Sequence, residues 1–488
     1  MTHVPVEIRR LGTSVAGLDP ILGGGLPEFS FNIIAGAPGA GKSTLAHQLM
    51  FAMASESRTA LYFTALGEPP LKMLRYQQQF EFFDGEALGQ SVHFVNLGDE
   101  ASTGGPAAVL TRISLEVRQR SPAFVFVDSF RSIMLGGRES PTHADVVQRF
   151  LQDLGLLMTT WQATTFLIGE YFSERDADPL FTAADGLLWL RQSVERNSVV
   201  RKIEVTKMRG QASIPGLHTF RISSAGITVF PPASIAATGK RSAWPIRQRI
   251  GMGIDELDTM MGGGLPKGYS LLVAGPSGSG KSILASAFLA EGARCGEAGV
   301  IAAFEQRALH SRGAAVADLV DAGRIAVVDT NATDLSVDEV AALVLAEVHR
   351  LGASRIVIDS LSGFELALAP TFRADFRESM ARMVAALTNT GASVLMTSEL
   401  EDRYDDLRFS PYGTAFLTDA IIVQRYIEVD SRLQRVLAVV KIRGSGHSNE
   451  LRLFHINDDG IQIDAMLSNH EGILGGRPRQ KSPRVAGE

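Results

Sequence analysis

Two short glycine-rich segments have the residue types of a phosphate-binding loop. They are GAPGAGKS, residues 36–43, and GPSGSGKS, residues 275–282. In the pattern G-x-x-x-x-G-K-[ST], the glycines let backbone N–H groups turn inward around phosphates, the lysine reaches the β- and γ-phosphates, and the serine hydroxyl ligates Mg²⁺. Each segment follows an apolar run and precedes a helix-forming one, so the helix N-terminus would face the same negative charge. The sequence therefore predicts two sites that bind ATP and Mg²⁺.

The residues predicted to contact ATP are those of the two loops and the residue after each. Among them, Lys42 and Lys281 are also predicted to act in catalysis, and Ser43 and Ser282 to ligate Mg²⁺. The predicted ATP-binding residues are Gly36, Ala37, Pro38, Gly39, Ala40, Gly41, Lys42, Ser43 and Thr44 in the first loop, and Gly275, Pro276, Ser277, Gly278, Ser279, Gly280, Lys281, Ser282 and Ile283 in the second.

A magnesium ion in this kind of site also takes an acidic residue at the end of a neighbouring strand. FVFVDS supplies Asp128 in the first half, and RIVIDS supplies Asp359 in the second. The alternative is a strand-ending aspartate that caps a helix. Because the same pattern occurs in both halves, we predict that both aspartates are metal ligands.

Hydrolysis also needs a group that orients and activates water, and a carboxylate near the γ-phosphate is the usual choice. VIAAFEQR places Glu305 at the tip of the strand after the second loop's helix. The first half reads LYFTALGEPP, where Leu66 and Gly67 stand at the matching positions and Glu68 is the nearest carboxylate. A solvated strand-end charge is the alternative for both glutamates. Glu305 is therefore the predicted catalytic carboxylate of the second half, and Glu68 the candidate in the first.

The two loops belong to a long internal repeat. Their lysines are 239 residues apart, and the segments 18–46 and 257–285 are identical at 15 of 29 positions. The repeat is far longer than the roughly 20–50 residues of a solenoid unit, which indicates tandem domains. Within each half, apolar runs alternate with helix-like stretches, as in a mainly parallel sheet covered on both faces. Each half then ends in alternating strands, which predict antiparallel hairpins at the sheet edge.

In the first half the predicted buried strands are FNIIAG, ALYFTA, VHFVNL, FVFVDS and TTFLIG, with helices between them. The segment 231–249 contains proline, small residues and positive charge without a clear period, which is typical of a linker. We predict a first domain at residues 1–235, a linker at 236–249, a second domain at 250–475 and a loose basic tail at 476–488.

The composition is that of an ordinary globular protein, with 45% hydrophobic and 20% charged residues. The net charge of −6 argues against a chain built to grip nucleic acid. The single cysteine, Cys295, excludes an intrachain disulfide and fits a reducing cytoplasm. The N-terminus lacks the apolar core of a signal peptide, and no apolar run reaches the roughly 18 residues of a membrane helix. We therefore predict a cytoplasmic protein without a membrane or nucleic-acid partner.

With these features assembled, the chain resembles the KaiC family of clock and clock-like ATPases, within the RecA-like P-loop class. The resemblance rests on GGGLP before each loop, on FVFVDS with RIVIDSLS, on TKMRG with VKIRGSGH, and on FRISSAGITVFP and ELRLFHINDDGIQI. It spans about residues 8–475. It implies an α/β fold of two tandem RecA-like P-loop NTPase domains, each a mainly parallel sheet with antiparallel edge strands.

The resemblance also implies a double-ring hexamer with ATP held between neighbouring subunits. In that arrangement the cations of KMRG and KIRG, which are Lys207, Arg209, Lys441 and Arg443, reach the neighbour's γ-phosphate. Alternate residues of a strand point to one face, so K-x-R aims two cations together. A cation supplied from outside can stabilise charge on the transferred phosphoryl group. A solvated basic strand edge is the alternative.

The chain departs from the family pattern in two places. The family uses two adjacent glutamates in each half, whereas this chain has only Glu305 at the pair in the second half and Leu66 with Gly67 in the first. Clock members phosphorylate themselves on a Ser-Thr pair, and the aligned residues here are Ala415 and Phe416, which have no hydroxyl. Binding of ATP is therefore expected in both halves, but hydrolysis mainly in the second.

The predicted function is a ring-forming KaiC-like ATPase whose second half is more catalytic than its first. One alternative is a self-phosphorylating serine/threonine kinase of the clock type with a shifted site, such as Thr414 or Ser410. Another is an oligomeric signalling scaffold in which ATP joins the subunits and turnover is incidental. Each of these would work with a clock-like or signalling protein as partner. A DNA-handling function is disfavoured because the chain is acidic and lacks a basic cluster.

Overall fold

The computed structural model describes residues 8–64, 70–130, 143–171, 179–195, 198–236, 248–304, 314–328, 330, 334–400, 418–429, 431–458, 460–466, 470–471 and 479–480. The chain divides into two compact units, Met1–Pro231 and Pro232–Glu488. None of the helices in these described segments is long and apolar enough to cross a membrane.

The first unit is built on one large sheet with helices on both faces. Within the described residues, its strands lie in the spatial order β5 (Val92–Asn96), β4 (Ala60–Thr64), β6 (Phe124–Asp128), β7 (Thr164–Glu170), β3 (Phe31–Gly36), β8 (Gly186–Glu195), β9 (Ser198–Met208), β10 (Leu217–Ser223) and β11 (Gly226–Phe230). The strands from β5 to β8 pair in parallel, and those from β8 to β11 pair antiparallel. A small separate ladder joins β1 (Arg10–Leu11) to β2 (Leu26–Pro27). The helices are α1 (Leu18–Leu22), α2 (Lys42–Met53), α3 (Pro70–Gln77), α4 (Gly98–Thr103), α5 (Gly105–Arg120), α6 (His143–Thr160) and α7 (Pro179–Ala183).

The second unit repeats this plan. Within its described part, the strands lie in the order β16 (Ile325–Val328), β15 (Gly299–Ala303), β17 (Arg355–Asp359), β18 (Ser393–Glu399), β14 (Ser270–Gly275), β19 (Ala420–Val429), β20 (Arg432–Ile442), β21 (Arg452–Asn457) and β22 (Gly460–Met466). Two short ladders join β12 (Arg249–Ile250) to β13 (Leu265–Pro266), and β23 (His470–Glu471) to β24 (Arg479–Gln480). The helices are α8 (Ala233–Ala236), α9 (Asp255–Met260), α10 (Lys281–Arg294), α11 (Ala314–Asp321), α12 (Val337–Leu351), α13 (Leu361–Ala367) and α14 (Phe376–Asn389), with a 3₁₀ helix at Pro370–Phe372.

The parallel strands are apolar on both faces because helices cover both sides of the sheet. In β3, Ile33 and Ala35 belong to one core cluster and Ile34 belongs to the opposite one. In β4, Leu61 and Tyr62 likewise belong to core clusters on opposite faces of the sheet. Full burial of a large apolar side chain stabilises the fold by roughly 1.5–3 kcal/mol. These two-sided strands therefore form the rigid platform on which the loops at the sheet edge are mounted.

The fold class and the strand predictions are confirmed. The five apolar segments predicted as buried strands of the first half form β3 to β7 in parallel, and the alternating segments predicted at the end of each half form β9 to β11 and β20 to β22. The unit division lies after Pro231, whereas we placed the end of the first domain at residue 235. The reason is that α8 packs within the second unit, where the backbone N–H of Ala233 donates to the Asp338 carboxylate at 3.2 Å.

A buried ion pair fixes the start of β17, the strand that leads to Asp359. The Arg355 side chain is 2% exposed and lies 2.6 Å from the Glu297 carboxylate. Its guanidinium also donates to the carbonyls of Gly251 at 2.7 Å and Phe288 at 2.8 Å, and it lies over the Phe288 ring, 4.6 Å from the ring centroid. A buried cation is tolerated only when it is paired and fully hydrogen-bonded.

We expect Arg355→Met to lower the free energy of unfolding by on the order of 3 kcal/mol, because the replacement removes one partner of a buried pair and leaves two carbonyls without their donor. The matched control is Arg350→Met, since Arg350 pairs with Glu347 at the same 2.6 Å but its side chain is 60% exposed. Urea unfolding followed by circular dichroism should show a lower midpoint for Arg355→Met and little change for the control. Equal midpoints for the two variants would contradict the assigned role of the buried pair.

Candidate functional site

Each phosphate loop joins a central strand to a helix that begins at the loop's lysine. β3 ends at Gly36 and α2 begins at Lys42, while β14 ends at Gly275 and α10 begins at Lys281. Both loops stand at the carboxyl edge of the parallel strands. A helix presents unpaired N–H groups and the positive end of its dipole at its N-terminus, so each loop offers an anion site.

The backbone conformation explains why the last glycine of each loop must be glycine. Gly41 and Gly280 have φ values of 101° and 103°, in a region that residues with a Cβ rarely adopt. A Cβ at Gly41 would lie 2.8 Å from Cδ1 of Ile222, and one at Gly280 would lie 2.7 Å from Cδ1 of Ile456. The loop can therefore approach the edge strands closely only because both positions lack a side chain.

A cavity opens beside each loop and contains the residues predicted to hold phosphate and metal. The cavity of the first unit has a volume of about 380 Å³, and that of the second about 210 Å³. The first is lined by Gly39, Gly41, Lys42, Ser43, Thr44, His47, Thr64, Met73, Tyr76, Gln77, Asp128, Ser129, Glu170 and Ile222. The second is lined by Ser277, Gly278, Gly280, Lys281, Ser282, Ile283, Asp359, Ser360 and Glu399.

The two loop lysines fold back over their own loops. The Lys42 ammonium donates to the carbonyl of Ala37 at 2.9 Å, and the Lys281 ammonium donates to those of Gly275 at 2.9 Å and Pro276 at 2.8 Å. Burial lowers the pKa of Lys42, and the nearby charges of two carboxylates act against that shift. A phosphate in the cavity carries a full negative charge, so it would compete with these carbonyl groups for the two ammonium groups.

Asp128 closes the first cavity at the end of β6. Part of its surface faces the cavity, while the carboxyl is surrounded by protein. Its Oδ2 accepts hydrogen bonds from the hydroxyls of Ser43 and Tyr62, each at 2.7 Å. Burial raises the pKa of Asp128, and these hydrogen bonds act against the shift. Burial and the Asp128 charge raise the pKa of Tyr62 well above its usual value, so its hydroxyl remains a donor.

Asp359 has the equivalent place at the end of β17 but a different neighbour. It is 4% exposed, and the Thr397 hydroxyl on β18 donates to its Oδ1. In the second unit Ile301 stands where the first has Tyr62, and in the first unit Ile168 stands where the second has Thr397. The two units therefore hold the same carboxylate by hydroxyls on opposite neighbouring strands.

The residues present fit a magnesium ion. The strand-end aspartate and the loop serine line the same cavity in each unit, and in the first unit the Ser43 hydroxyl donates to the Asp128 carboxylate. The described residues contain no cluster of three or more histidine, cysteine, aspartate or glutamate side chains that could hold a metal alone. Mg²⁺ does not need one, because it commonly keeps several waters and binds one or two carboxylates together with substrate phosphates.

Sequence reasoning missed a second carboxylate in each cavity. Glu170 ends β7 and Glu399 ends β18, in register with Gly36 and Gly275 where the loops begin. Both glutamates line their cavities. A signal was available, because the predicted strand TTFLIG stops one residue before Glu170, and a strand-ending carboxylate at the phosphate edge points into the site.

Sequence reasoning also missed the aromatic support beneath the first cavity. His47 is fully buried on α2 and stacks on Tyr62 with ring centroids 4.5 Å apart. Neither ring nitrogen makes a hydrogen bond of good geometry, although the Ser43 carbonyl lies one helical turn away. Burial lowers the pKa of His47 to about 3, so the ring is neutral. The neutral His47 ring therefore packs against the Tyr62 ring and supports the orientation in which the Tyr62 hydroxyl donates to Asp128.

The K-x-R cations lie at the opposite edge of the first sheet from the phosphate loop. The Lys207 ammonium donates to the carbonyls of Phe181 at 3.2 Å and Thr182 at 2.9 Å. The Arg209 guanidinium pairs with the Asp185 carboxylate at 3.2 Å. Burial and the neighbouring arginine lower the pKa of Lys207. The acceptor residues Phe181, Thr182 and Asp185 precede β8 in the chain, so these contacts lie at the amino edge of the parallel strands.

The second unit has the same arrangement. The Lys441 ammonium donates to the Thr418 carbonyl at 2.6 Å, and the Arg443 guanidinium lies 3.6 Å from the Asp419 carboxylate. Asp419 in turn accepts the backbone N–H of Ser270, the first residue of β14, at 3.1 Å. Five residue steps of about 3.3 Å separate the start of this strand from the loop at its end, or about 17 Å. The arginine is therefore anchored about 17 Å from the phosphate loop of its own unit.

The glycine turn of the GGGLP motif packs against the loop that follows the K-x-R segment. A Cβ at Gly23 would lie 2.2 Å from the Ala212 carbonyl oxygen, just after the first K-x-R segment. The Gln211 side-chain amide donates to the carbonyls of Leu22 and Gly25 at 2.6 and 2.7 Å. Each glycine turn is thus packed against the loop that follows K-x-R, and the second unit uses Arg249 in a similar way.

Several residues that carried sequence predictions lie outside the described residues. They are Leu66, Gly67, Glu68, Glu305, Ser410, Thr414, Ala415 and Phe416. The roles given to Glu305 and Glu68, and the absence of hydroxyls at the aligned phosphorylation pair, stay predictions from the sequence. The described residues do bring together Lys42, Ser43 and Asp128 in the first unit, and their counterparts in the second.

Comparison with known proteins places relatives along nearly the whole chain. A family model described as "ATPase: KaiC" matches residues 11–234 and 250–468. Similar curated proteins include the circadian clock oscillator protein KaiC of Picosynechococcus sp., 26% identical over 485 residues that cover 96% of this chain and 92% of the relative. The circadian clock oscillator protein KaiC 1 of Synechocystis sp. is 27% identical over 492 residues, which cover 97% of this chain and 93% of that protein.

Replacing Asp128 with asparagine removes a charge while keeping an oxygen that can accept from Ser43 and Tyr62. Because burial raises the pKa of Asp128, the charged form costs folding free energy at neutral pH. That cost falls as the pH drops through the pKa of the folded carboxyl. We therefore expect Asp128→Asn without nucleotide to be more stable than the wild type at pH 7, and to lose the stabilisation that Mg²⁺ with ATP gives the first site.

Tryptophan fluorescence during urea unfolding measures this for the first unit when Trp244 is replaced by phenylalanine, because the two remaining tryptophans, Trp161 and Trp189, both lie in that unit. Asp153→Asn, at an exposed position on α6, is the charge-matched control. A response to Mg²⁺ and ATP as large as that of the wild type would rule out Asp128 as a metal ligand.

Proposed function

The chain belongs to the KaiC family of ATPases, and on that premise we propose that it binds ATP with Mg²⁺ at two sites, hydrolyses it, and completes each site with a neighbouring copy of itself. The observation that carries the proposal is the grouping of a lysine, a serine and an aspartate around one cavity in each unit. These side chains come from distant parts of the sequence, and a phosphate site is the chemistry that uses all three.

In this proposal the loop and its helix N-terminus bind the phosphates, and Lys42 or Lys281 places a positive charge against them. Ser43 with Asp128, and Ser282 with Asp359, would hold Mg²⁺, which when bound neutralises charge on the phosphates. Hydrolysis forms a bond from a water oxygen to the γ-phosphorus and breaks the bond from that phosphorus to the bridging oxygen, giving ADP and phosphate. The chain's own groups orient these atoms and stabilise the charge that develops.

The location of the K-x-R cations supports sites that are shared between copies. Arg209 and Arg443 are anchored at the amino edge of their sheets, about 17 Å from their own phosphate loops. A guanidinium side chain is far too short to cover that distance. If these arginines contact phosphate, the phosphate belongs to another copy of the chain, which favours the proposed double-ring hexamer.

The two units are proposed to differ in turnover. The second has Glu305 at the position of the activating carboxylate, whereas the first has Leu66 and Gly67 and only the displaced Glu68. The different hydroxyls that hold Asp128 and Asp359 are a second difference between the cavities. We propose that the first site is mostly structural and the second mostly catalytic.

We propose a cytoplasmic homo-oligomer with a clock-like or signalling protein as partner, consistent with the names of the curated relatives. The net charge of −6 argues against nucleic acid as a ligand. Self-phosphorylation and a scaffold with little turnover stay as the two alternatives from the sequence.

We expect Lys281→Ala to remove most of the steady-state ATP turnover, by about 100-fold at its own site, because the variant loses a cation beside the transferred phosphate. Lys42→Ala should remove only the smaller share, and the double variant should be inactive. Phosphate release by the purified full-length chain measures this, with Glu305→Gln and Glu68→Gln compared in parallel. Turnover that neither lysine variant lowers would refute the assignment of both sites.

Mixing two variants that are each defective in the second site tests whether that site is shared between copies. Arg443→Ala keeps its own phosphate loop, and Lys281→Ala keeps its own arginine, so a mixed assembly contains interfaces with both groups intact. Random mixing makes about a quarter of the second-unit sites complete. We expect turnover to rise after the variants are mixed and reassembled, above the mean of the separate proteins. A mixture that stays at that mean would show that the arginine acts within its own chain or not at all.

A further inference from the structure

We propose that Glu170 and Glu399 are catalytic carboxylates that hold the attacking water in the first and second sites. This proposal rests on the proposed ATP hydrolysis. In the second site Glu399 acts together with Glu305, whereas in the first site, where Leu66 stands at the position of Glu305, Glu170 acts without that carboxylate and turnover is slower. The same strand end thus has the same task in both units.

Strand order puts both glutamates at the phosphate edge. β7 lies between β6 and β3, so Glu170 lies two residues beyond Ile168, the partner of Asp128, on one side and beside the loop on the other. Its Cα is in register with Gly36, the first residue of the loop. β18 has the same place in the second unit, and Glu399 is in register with Gly275. Both side chains line the cavity that contains the loop lysine and the metal-binding aspartate.

The cavity lining places both glutamates with the groups that would contact ATP and metal. Glu170 shares the first cavity with Lys42, whose ammonium would contact the γ-phosphate, and with Asp128, whose carboxylate would hold the metal. Glu399 shares the second cavity with Lys281 and Asp359 in the same way.

A carboxylate in this place is unfavourable for binding alone. ATP brings several negative charges to the loop, and a like charge beside them weakens binding. Asn or Gln would serve a purely structural purpose at a strand end without that cost. The same carboxylate is useful for turnover, because it accepts a hydrogen bond from water and orients the water oxygen toward the γ-phosphorus.

The water oxygen forms a bond to the γ-phosphorus, and the bond between that phosphorus and the β,γ-bridging oxygen breaks, so that ADP leaves with the electron pair. One water proton moves to the glutamate carboxylate and is then released to the phosphate product or to solvent. No oxidant, reductant or further reactant is needed.

The test separates the two sites by using lysine variants as parents. Glu399→Gln is made in the Lys42→Ala chain, and Glu170→Gln is made in the Lys281→Ala chain. Glutamine keeps the shape of the side chain and removes its charge. We expect turnover at each remaining site to fall by about 100-fold, while the Kd for ATP, measured with Mg²⁺ by equilibrium binding, stays equal to that of the parent or falls.

Glu56→Gln, in an exposed turn outside both cavities, is the charge-matched control and should change neither quantity. Glu399→Asp, which keeps the charge but withdraws it by one methylene, should retain more turnover than Glu399→Gln. Turnover within twofold of the parent for both glutamine variants would overturn the proposal, and so would a rise in Kd that matches the loss of turnover. If the parents themselves release no phosphate, the proposed ATPase function fails first, so the two failures are distinguishable.

Discussion

Strand direction is the constraint on which both sites depend. The carboxyl ends of β3, β6 and β7 meet at one edge because these strands are parallel, so a loop lysine, an aspartate and a glutamate from three distant segments share one cavity. The antiparallel return of β9 carries the K-x-R segment to the other edge of the same sheet. The topology that assembles the phosphate groups therefore also moves the second set of cations away from them.

The two units show that one carboxylate can be held in two ways without a change of fold. In the first, a tyrosine on β4 reaches Asp128 and is backed by the buried His47 ring. In the second, a threonine on β18 reaches Asp359, and the tyrosine position is Ile301. A donor to a buried carboxylate is worth more than a neutral hydrogen bond, since an unpaired charge is costly there. The duplication thus preserved the charge and its need for a donor, but not the donor.

Much of this could be read from the sequence. Continuous apolar runs predicted the parallel strands because helices bury both of their faces, and the repeated loop pattern located both cavities. Tyr62 and Thr397 could not be predicted, because their importance depends on which strands flank β6 and β17, and strand order is not visible in local patterns. Glu170 could have been suspected, because the predicted strand TTFLIG ends one residue before it, but its place beside the phosphate loop again depends on strand order. The GGGLP motif was recognised as a repeat, but only the contact of Gly23 with Ala212 shows that it supports the K-x-R loop.

The separation of the two cation sets has a consequence for symmetry. A unit with its phosphate loop at one edge and its arginine at the other presents two unlike surfaces, so any contact that joins them is heterologous and runs head to tail. Such contacts close into a ring only when the rotation between copies divides a full turn; otherwise they extend into a filament. In the proposed assembly both units belong to one chain, so they would share one rotation between copies. The tandem duplication would then give the two sets of sites the same copy number.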